Sequence, residues 1–260
     1  MSTFLFDSIV FGPVRSRRLG VSLGINLLPV DRKVCTFDCI YCECGWTTQK
    51  EACKSPLPTR SEVYNALEKK LQSMLAKGTP PDVITFAGNG EPTLHPDFEN
   101  IIEDTVALRD KYFPAAGISV LSNASNIAKE SVRRGLMNAD QNILKLDSAI
   151  TQTLKILNQP NPSYNLEKVI SLMKNFNGKF TIQTMFVRGE FEGKKIDNTT
   201  PEEIAAWLDV LDNLRPKSVM VYTIARDTPL GNNLAKVPLA ELKGIAAMVE
   251  ALGIPVTVSA

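Results

Sequence analysis

The chain holds five cysteines and one histidine in 260 residues. Four of the cysteines, Cys35, Cys39, Cys42 and Cys44, fall within VCTFDCIYCECGW at 34–46, and Cys53 follows nine residues later. Cys35, Cys39 and Cys42 form C-x3-C-x2-C, and thiolates this close can converge on one small inorganic centre. A structural zinc site takes four ligands, usually as paired C-x2-C hooks well apart in sequence. No second hook exists here, so Cys44 or Cys53 would have to complete such a site. Iron–sulfur clusters are also held by closely spaced thiolates. Three of them leave one iron of a [4Fe–4S] cluster without a protein ligand, and an open metal position is a feature of catalytic centres.

A second chemical stretch is FAGNGEPTLHP, 86–96. Its glycines, Gly88 and Gly90, would let backbone approach a ligand closely at a strand end, and Pro92 fixes the turn. His95, between Pro92 and Pro96, reads as a loop-positioning or helix-capping residue rather than an acid or base. In NILKLDS, 142–148, alternation places Leu144 and Leu146 on one face and Lys145 and Asp147 on the other. If that second face points inward, Lys145 and Asp147 meet ligand; if it is an edge, they meet solvent. Gln183 and Met185 share a face of TIQTMFV, where Met is more often core packing. Arg226 follows the last long strand as a candidate anion contact.

The elements that must position these residues alternate. Runs at 21–28, 82–88, 117–123, 142–148, 179–187 and 218–225 read as strands, with a short seventh at 255–259. Amphipathic stretches at 61–77, 96–112, 200–214 and 239–253 read as helices. Ser61 is the expected cap of the first; Thr200, Pro201 and Glu203 fit the start of the third. Strand–helix repeats imply parallel strands with right-handed crossovers. The expectation is an α/β fold, a partial (βα)6 TIM-like barrel with an N-terminal extension. It forms a single domain over 1–260, with a core at about 20–230 and a C-terminal helix and short strand within 238–260. Active sites of such sheets gather at the C-terminal strand ends, and the chemical motifs do follow strands.

With Tyr41 before the third cysteine, the motif resembles the cluster motif of radical S-adenosylmethionine (SAM) enzymes, and 88–92 resembles their glycine–glutamate–proline motif. The resemblance implies that Cys35, Cys39 and Cys42 bind three irons of a [4Fe–4S] cluster and that SAM chelates the fourth. Reductive cleavage of SAM would then give a 5′-deoxyadenosyl radical that abstracts hydrogen from substrate. It implies SAM contacts at Tyr41, Gly88, Asn89, Gly90, Glu91, Ser122 and Asn123, and the strand faces add Asp147 and Gln183 as candidate contacts. Lys145, Asp147 and Arg226 are the candidate catalytic residues. A flavodoxin or ferredoxin-type electron donor is implied as well. More narrowly, FGPVRSRRLGVSLGINLLP at 11–29 (with Arg17 and Arg18), the cysteine loop, LKLDS and YTIARDTP resemble the branch containing the wyosine-forming tRNA enzymes. Those carry a second cluster from upstream cysteines, whereas residues 1–34 here contain none.

Composition limits the partners. Lys+Arg number 29 against 28 Asp+Glu, which does not favour RNA. A small-molecule substrate, such as a modified nucleobase or nucleoside, is expected. A tRNA-modifying enzyme, a glycyl-radical activase and a non-catalytic zinc-binding module are the alternatives. No apolar run reaches membrane-spanning length, and the N-terminus does not read as a signal peptide. Reduced cysteines in the cytoplasm are the expectation. An odd cysteine count also suits a disulfide framework poorly.

Overall fold

The computed structural model describes residues 4–16, 18–47, 55–226 and 228–260. Cys53 and Arg17 lie outside them. The strands are β1 (Val10–Ser16), β2 (Gly20–Ile25), β3 (Val83–Phe86), β4 (Gly117–Ser122), β5 (Gln141–Lys145), β6 (Thr181–Met185), β7 (Val187–Phe191), β8 (Lys194–Asp197), β9 (Ser218–Tyr222), β10 (Leu234–Lys236) and β11 (Val256–Ser259). The helices are α1 (Arg60–Ala76), α2 (Phe98–Tyr112), α3 (Glu130–Asn138), α4 (Thr151–Asn158), α5 (Leu166–Met173), α6 (Pro201–Leu214) and α7 (Leu239–Ala251).

One sheet runs β1-β2-β3-β4-β5-β6-β9-β11. From β2 to β11 all neighbours are parallel, and β1 adds antiparallel to β2 at the edge. The sheet curls into a half-barrel. The short C-terminal run therefore belongs to the same sheet as a seventh parallel strand. A small antiparallel sheet, β10-β7-β8, stands beside it. It had no separate signal, because 179–187 reads as one continuous strand although β6 ends at Met185 and β7 starts at Val187. β1 was hidden by Pro13, which demotes a strand to an edge; β1 is an edge, with a register shift between Phe11 and Val14.

The sheet's two faces differ in chemistry. Leu23, Ile25, Ile84, Phe86, Ile118, Val120, Leu144, Ile182, Val219 and Val221 are buried in one cluster with the apolar faces of the helices. The opposite face carries hydrogen-bonded cross-strand pairs: Ser22 with Thr85, Ser119 with Gln141, and Thr181 with Ser218, each at 2.8 Å. Parallel strands covered on both sides read as continuous apolar runs. A polar second face in a parallel sheet marks an open concavity. Helix ends follow local chemistry. α1 starts two residues earlier than expected, where Thr59 and Glu62 form a capping box. Thr200 caps α6 by accepting from Glu203 N–H, while the Glu203 carboxylate accepts from Ser148 Oγ at 2.6 Å rather than closing a box.

Candidate functional site

The cysteine loop leaves the C-terminal end of β2 and is laced down on both flanks. On one side Val34 bridges Gly90, with Val34 N–H donating to Asn89 O at 2.8 Å and Glu91 N–H to Val34 O at 3.0 Å. On the other, Asp38 N–H and Ile40 N–H donate to Gln159 O and Leu157 O at 3.1 and 3.0 Å, beyond and within α4. Lys33 closes the loop on itself. Its ammonium, 3% exposed, donates to Asp38 Oδ1 at 3.0 Å and to Gly45 O at 2.9 Å.

Cys35, Cys39 and Cys42 line one cavity of about 210 Å³ at the C-terminal strand ends, together with Lys33. Burial, with the Glu91 charge, pushes the Cys35 thiol up to about 12, and burial also raises Cys39. Cys42 is lowered to about 6, chiefly by a hydrogen bond from the Cys44 thiol. Cys44 Sγ also lies 3.4 Å from Gly88 O; one thiol proton serves one of these acceptors at a time. Cys44 does not line the cavity. Among the described residues, no three Cys, His, Asp or Glu side chains close on a single metal ion.

The glycine loop forms the next wall. Gly88 and Gly90 have φ of +156° and +136°. A Cβ on Gly88 would meet the Asn26 side chain, and one on Gly90 would run into the Val34 carbonyl. Both line the cavity with bare backbone. Asn89 is turned away. Its amide accepts from Phe6 N–H at 2.8 Å and donates to Phe6 O and Pro29 O at 2.9 Å, so it anchors the N-terminal segment instead of facing a ligand. Glu91 lines the cavity but its carboxylate is occupied. Oε1 accepts from Thr93 Oγ1 at 2.6 Å and Ser122 Oγ at 2.9 Å, and Oε2 from Asn123 N–H at 2.6 Å. It ties the end of β3 to the end of β4. Burial pushes its carboxyl up, against these hydrogen bonds. Ser122 and Asn123 line the same cavity, and Asn123 Nδ2 reaches Thr36 Oγ1 at 2.9 Å and Cys35 Sγ at 3.6 Å.

Across the cavity stand Tyr41, Lys145 and Gln183. The Tyr41 hydroxyl donates to Asp147 Oδ2 and accepts from Lys145 Nζ at 2.7 Å. Asp147 is 1% exposed and does not line the cavity. Oδ2 also accepts from Asn158 Nδ2 at 2.7 Å, and Oδ1 from Met185 N–H at 2.9 Å. Asp147 is thus corrected from a ligand contact to a positioning residue under Tyr41 and Lys145. Burial is the largest single influence and disfavours the Lys145 ammonium, but Asp147, Tyr222 and Cys39 together outweigh it and the pKa is raised, so Lys145 presents a fixed cation. Asn158, which sequence reasoning passed over, also donates to Cys39 Sγ at 3.3 Å. An asparagine at a helix end reads as a cap, and nothing in LNQPN pointed to a thiol. Gln183 Nε2 donates to Tyr222 Oη at 2.9 Å, while its buried Oε1 has no partner among the described residues.

Arg226 is corrected. It stands exposed and pairs with Glu43 at 2.7 Å, tying the loop after β9 to the cysteine loop outside the cavity. Met185 is buried in one apolar cluster with Phe37, Tyr41 and Tyr222. His95 Nδ1 accepts from Asp97 N–H at 3.1 Å, so Nε2 carries the proton and donates to Pro58 O at 2.7 Å. Both nitrogens serve the loop.

No protein-family model matches the chain. It is 30% identical over 223 residues to the GTPase Obg of Brachyspira hyodysenteriae, covering 84% of this chain but 30% of that protein. It is 31% identical over 239 residues to a UPF0026 protein of Methanocaldococcus jannaschii, covering 90% of this chain and 68% of that one. Among solved structures, a radical SAM methyltransferase from Sphaerobacter thermophilus superposes with a TM-score of 0.64 at 15% identity, over 92% of this chain and 65% of that chain. Streptococcus suis SuiB bound to S-adenosylmethionine gives 0.63 at 17% identity, over 88% and 49%. Archaeal TYW1 gives 0.53 at 13%, over 88% and 71%. The half-barrel is the fold of the radical SAM enzymes, and the chain belongs to the UPF0026 family.

Proposed function

We infer that the chain is a radical SAM enzyme, with a [4Fe–4S] cluster on Cys35, Cys39 and Cys42 and SAM beside it. The observation that carries this reading is the meeting of those three thiols with the bare backbone of Gly88 and Gly90 in one cavity at the C-terminal strand ends. The donor set fits a cluster. A zinc site needs four ligands converging on one ion, and the described residues form no single-ion site; cluster cysteines are shared among several irons. With both groups bound, the chemistry supplied is reductive cleavage of SAM to a 5′-deoxyadenosyl radical, which takes hydrogen from a small-molecule substrate.

The chain's own residues do the rest. Lys33 sets a buried cation beside thiolates that must lose their protons to bind metal. The glycine loop offers bare main chain, its carbonyls included, to the polar end of a ligand. Lys145, held protonated by Asp147, supplies a cation and hydrogen-bond donor rather than a general base. Gln183 Oε1 offers a free acceptor. The near-neutral charge balance supports a small substrate over RNA. A one-electron protein donor of the flavodoxin or ferredoxin type completes the reading.

Anaerobic reconstitution with iron and sulfide tests it. The wild type should take up about four irons per chain with charge-transfer absorption. Cys35→Ala, Cys39→Ala and Cys42→Ala should each abolish loading, and Cys44→Ala should retain it. A colourless, zinc-loaded protein after reconstitution overturns the reading. Iron lost from Cys44→Ala overturns the ligand set.

A further inference from the structure

The concave face holds a second cavity, of about 290 Å³, at the N-terminal ends of β5, β6 and β9, opposite the cysteine end. The two are one residue apart across the sheet: Gln183 on β6 lines the upper, and its register partner Met220 on β9 lines the lower. Arg18, from the turn between β1 and β2, reaches into the lower cavity. Its guanidinium carbon stacks 4.4 Å from the centroid of the Tyr222 ring. That ring's hydroxyl is the one Gln183 holds. Arg18, Tyr222 and Gln183 therefore form a continuous line of contacts from the lower cavity to the cysteine cavity.

Stacking engages the face of a guanidinium and leaves its N–H edges free for a bidentate anion. Among the described residues, no side-chain or carbonyl acceptor is recorded for the Arg18 guanidinium. Its Nη1 is buried with no hydrogen-bond partner. By contrast Arg60, Arg109, Arg134, Arg188 and Arg226 each pair with a carboxylate. The carboxylate at this cavity, Asp140, is already engaged: Oδ2 accepts from Arg109 Nη1 and from Ile118 N–H, both at 2.7 Å. Lys179 and Lys217 add two cations at the rim. A buried charged donor left unpaired is costly, and the local charge balance calls for an anion.

We propose that the substrate is an organic anion whose carboxylate or phosphate is bound by the Arg18 guanidinium on the floor of the half-barrel. Calling that anion the substrate rests on the radical SAM reading; the anion site itself does not. If Arg18 is only a clamp between the β1–β2 turn and β9, no anion binds there.

The test titrates the full chain, unloaded and loaded, with inorganic phosphate and with acetate at constant ionic strength, chloride making up the balance. At least one should bind saturably. Arg18→Met should weaken it tenfold or more. Arg18→Lys, which keeps the charge and loses the planar fork, should weaken it by less. Urea midpoints establish that the variants fold, and Arg18→Lys carries the test where Arg18→Met does not. In the loaded enzyme, the fraction of a small-molecule extract retained by an anion exchanger should raise 5′-deoxyadenosine formation, and Arg18→Met should lose that rise while still taking up iron. Equal anion binding by wild type and variants, no binding at all, or stimulation by the unretained fraction alone overturns the proposal. Loss of iron binding and SAM cleavage with anion binding intact overturns the radical SAM reading, and with it the substrate role.

Discussion

Asp147 accepts from Tyr41, Lys145, Asn158 and the Met185 backbone, and it is the counter-ion of the cation on β5. Removing one member of a buried pair leaves the other uncompensated. Asp147→Ala should destabilise the chain by about 3 kcal/mol, and adding Lys145→Met should recover most of that. Urea midpoints of the four proteins give the coupling; additive losses would contradict the role assigned to the pair. Parts of this cluster were legible in the sequence. Alternation placed Lys145 opposite Leu144 and Leu146, and its facing the concavity follows from the curl of the sheet. That Asp147 lies under Tyr41 was not legible, because their contact joins positions 106 residues apart. Arg226 misled for the same reason: its partner, Glu43, lies 183 residues away.

The cysteine loop is an element without regular secondary structure, and its order comes from its neighbours. Gly90 is the closest point of attachment. Alanine there meets the Val34 carbonyl at a φ that L-residues rarely adopt. Gly90→Ala should cost at least about 1 kcal/mol and detach the loop from β3. Hydrogen exchange at Val34 N–H and iron uptake on reconstitution should both report it; unchanged exchange and full iron loading would contradict the attachment. The glycine spacing made close approach legible. What approaches was not, since Asn26 and Val34 come from a different part of the chain. Strands β2 to β6, β9 and β11 were legible as short runs rich in β-branched and apolar residues between helical stretches. The short helices α3 to α5 and the small sheet of β7, β8 and β10 lacked a pattern long enough to separate them from loop.

On the scale of the molecule, seven parallel strands place one aliphatic face on the helices and turn a polar face to an open concavity. The wall is held by the core, and the cavity by a loop that the fold must assemble before three thiols meet. Metal affinity then becomes folding stability. The loaded protein should melt several degrees above the unloaded one, on the order of 2–4 °C per kcal/mol for a chain of this size. Chelation under anaerobic conditions should return it to the lower value. Equal melting temperatures would mean that the thiols do not hold the group. A fold of this type supports many reactions, so the activity rests on the residues around the cavity.

The proposed reaction is the one-electron reductive cleavage of a carbon–sulfur bond of SAM. The most direct measurement is 5′-deoxyadenosine released by the reconstituted wild type with dithionite and SAM. The wild type should release it and Cys39→Ala should not. No 5′-deoxyadenosine from protein carrying its full iron complement would contradict the proposed reaction.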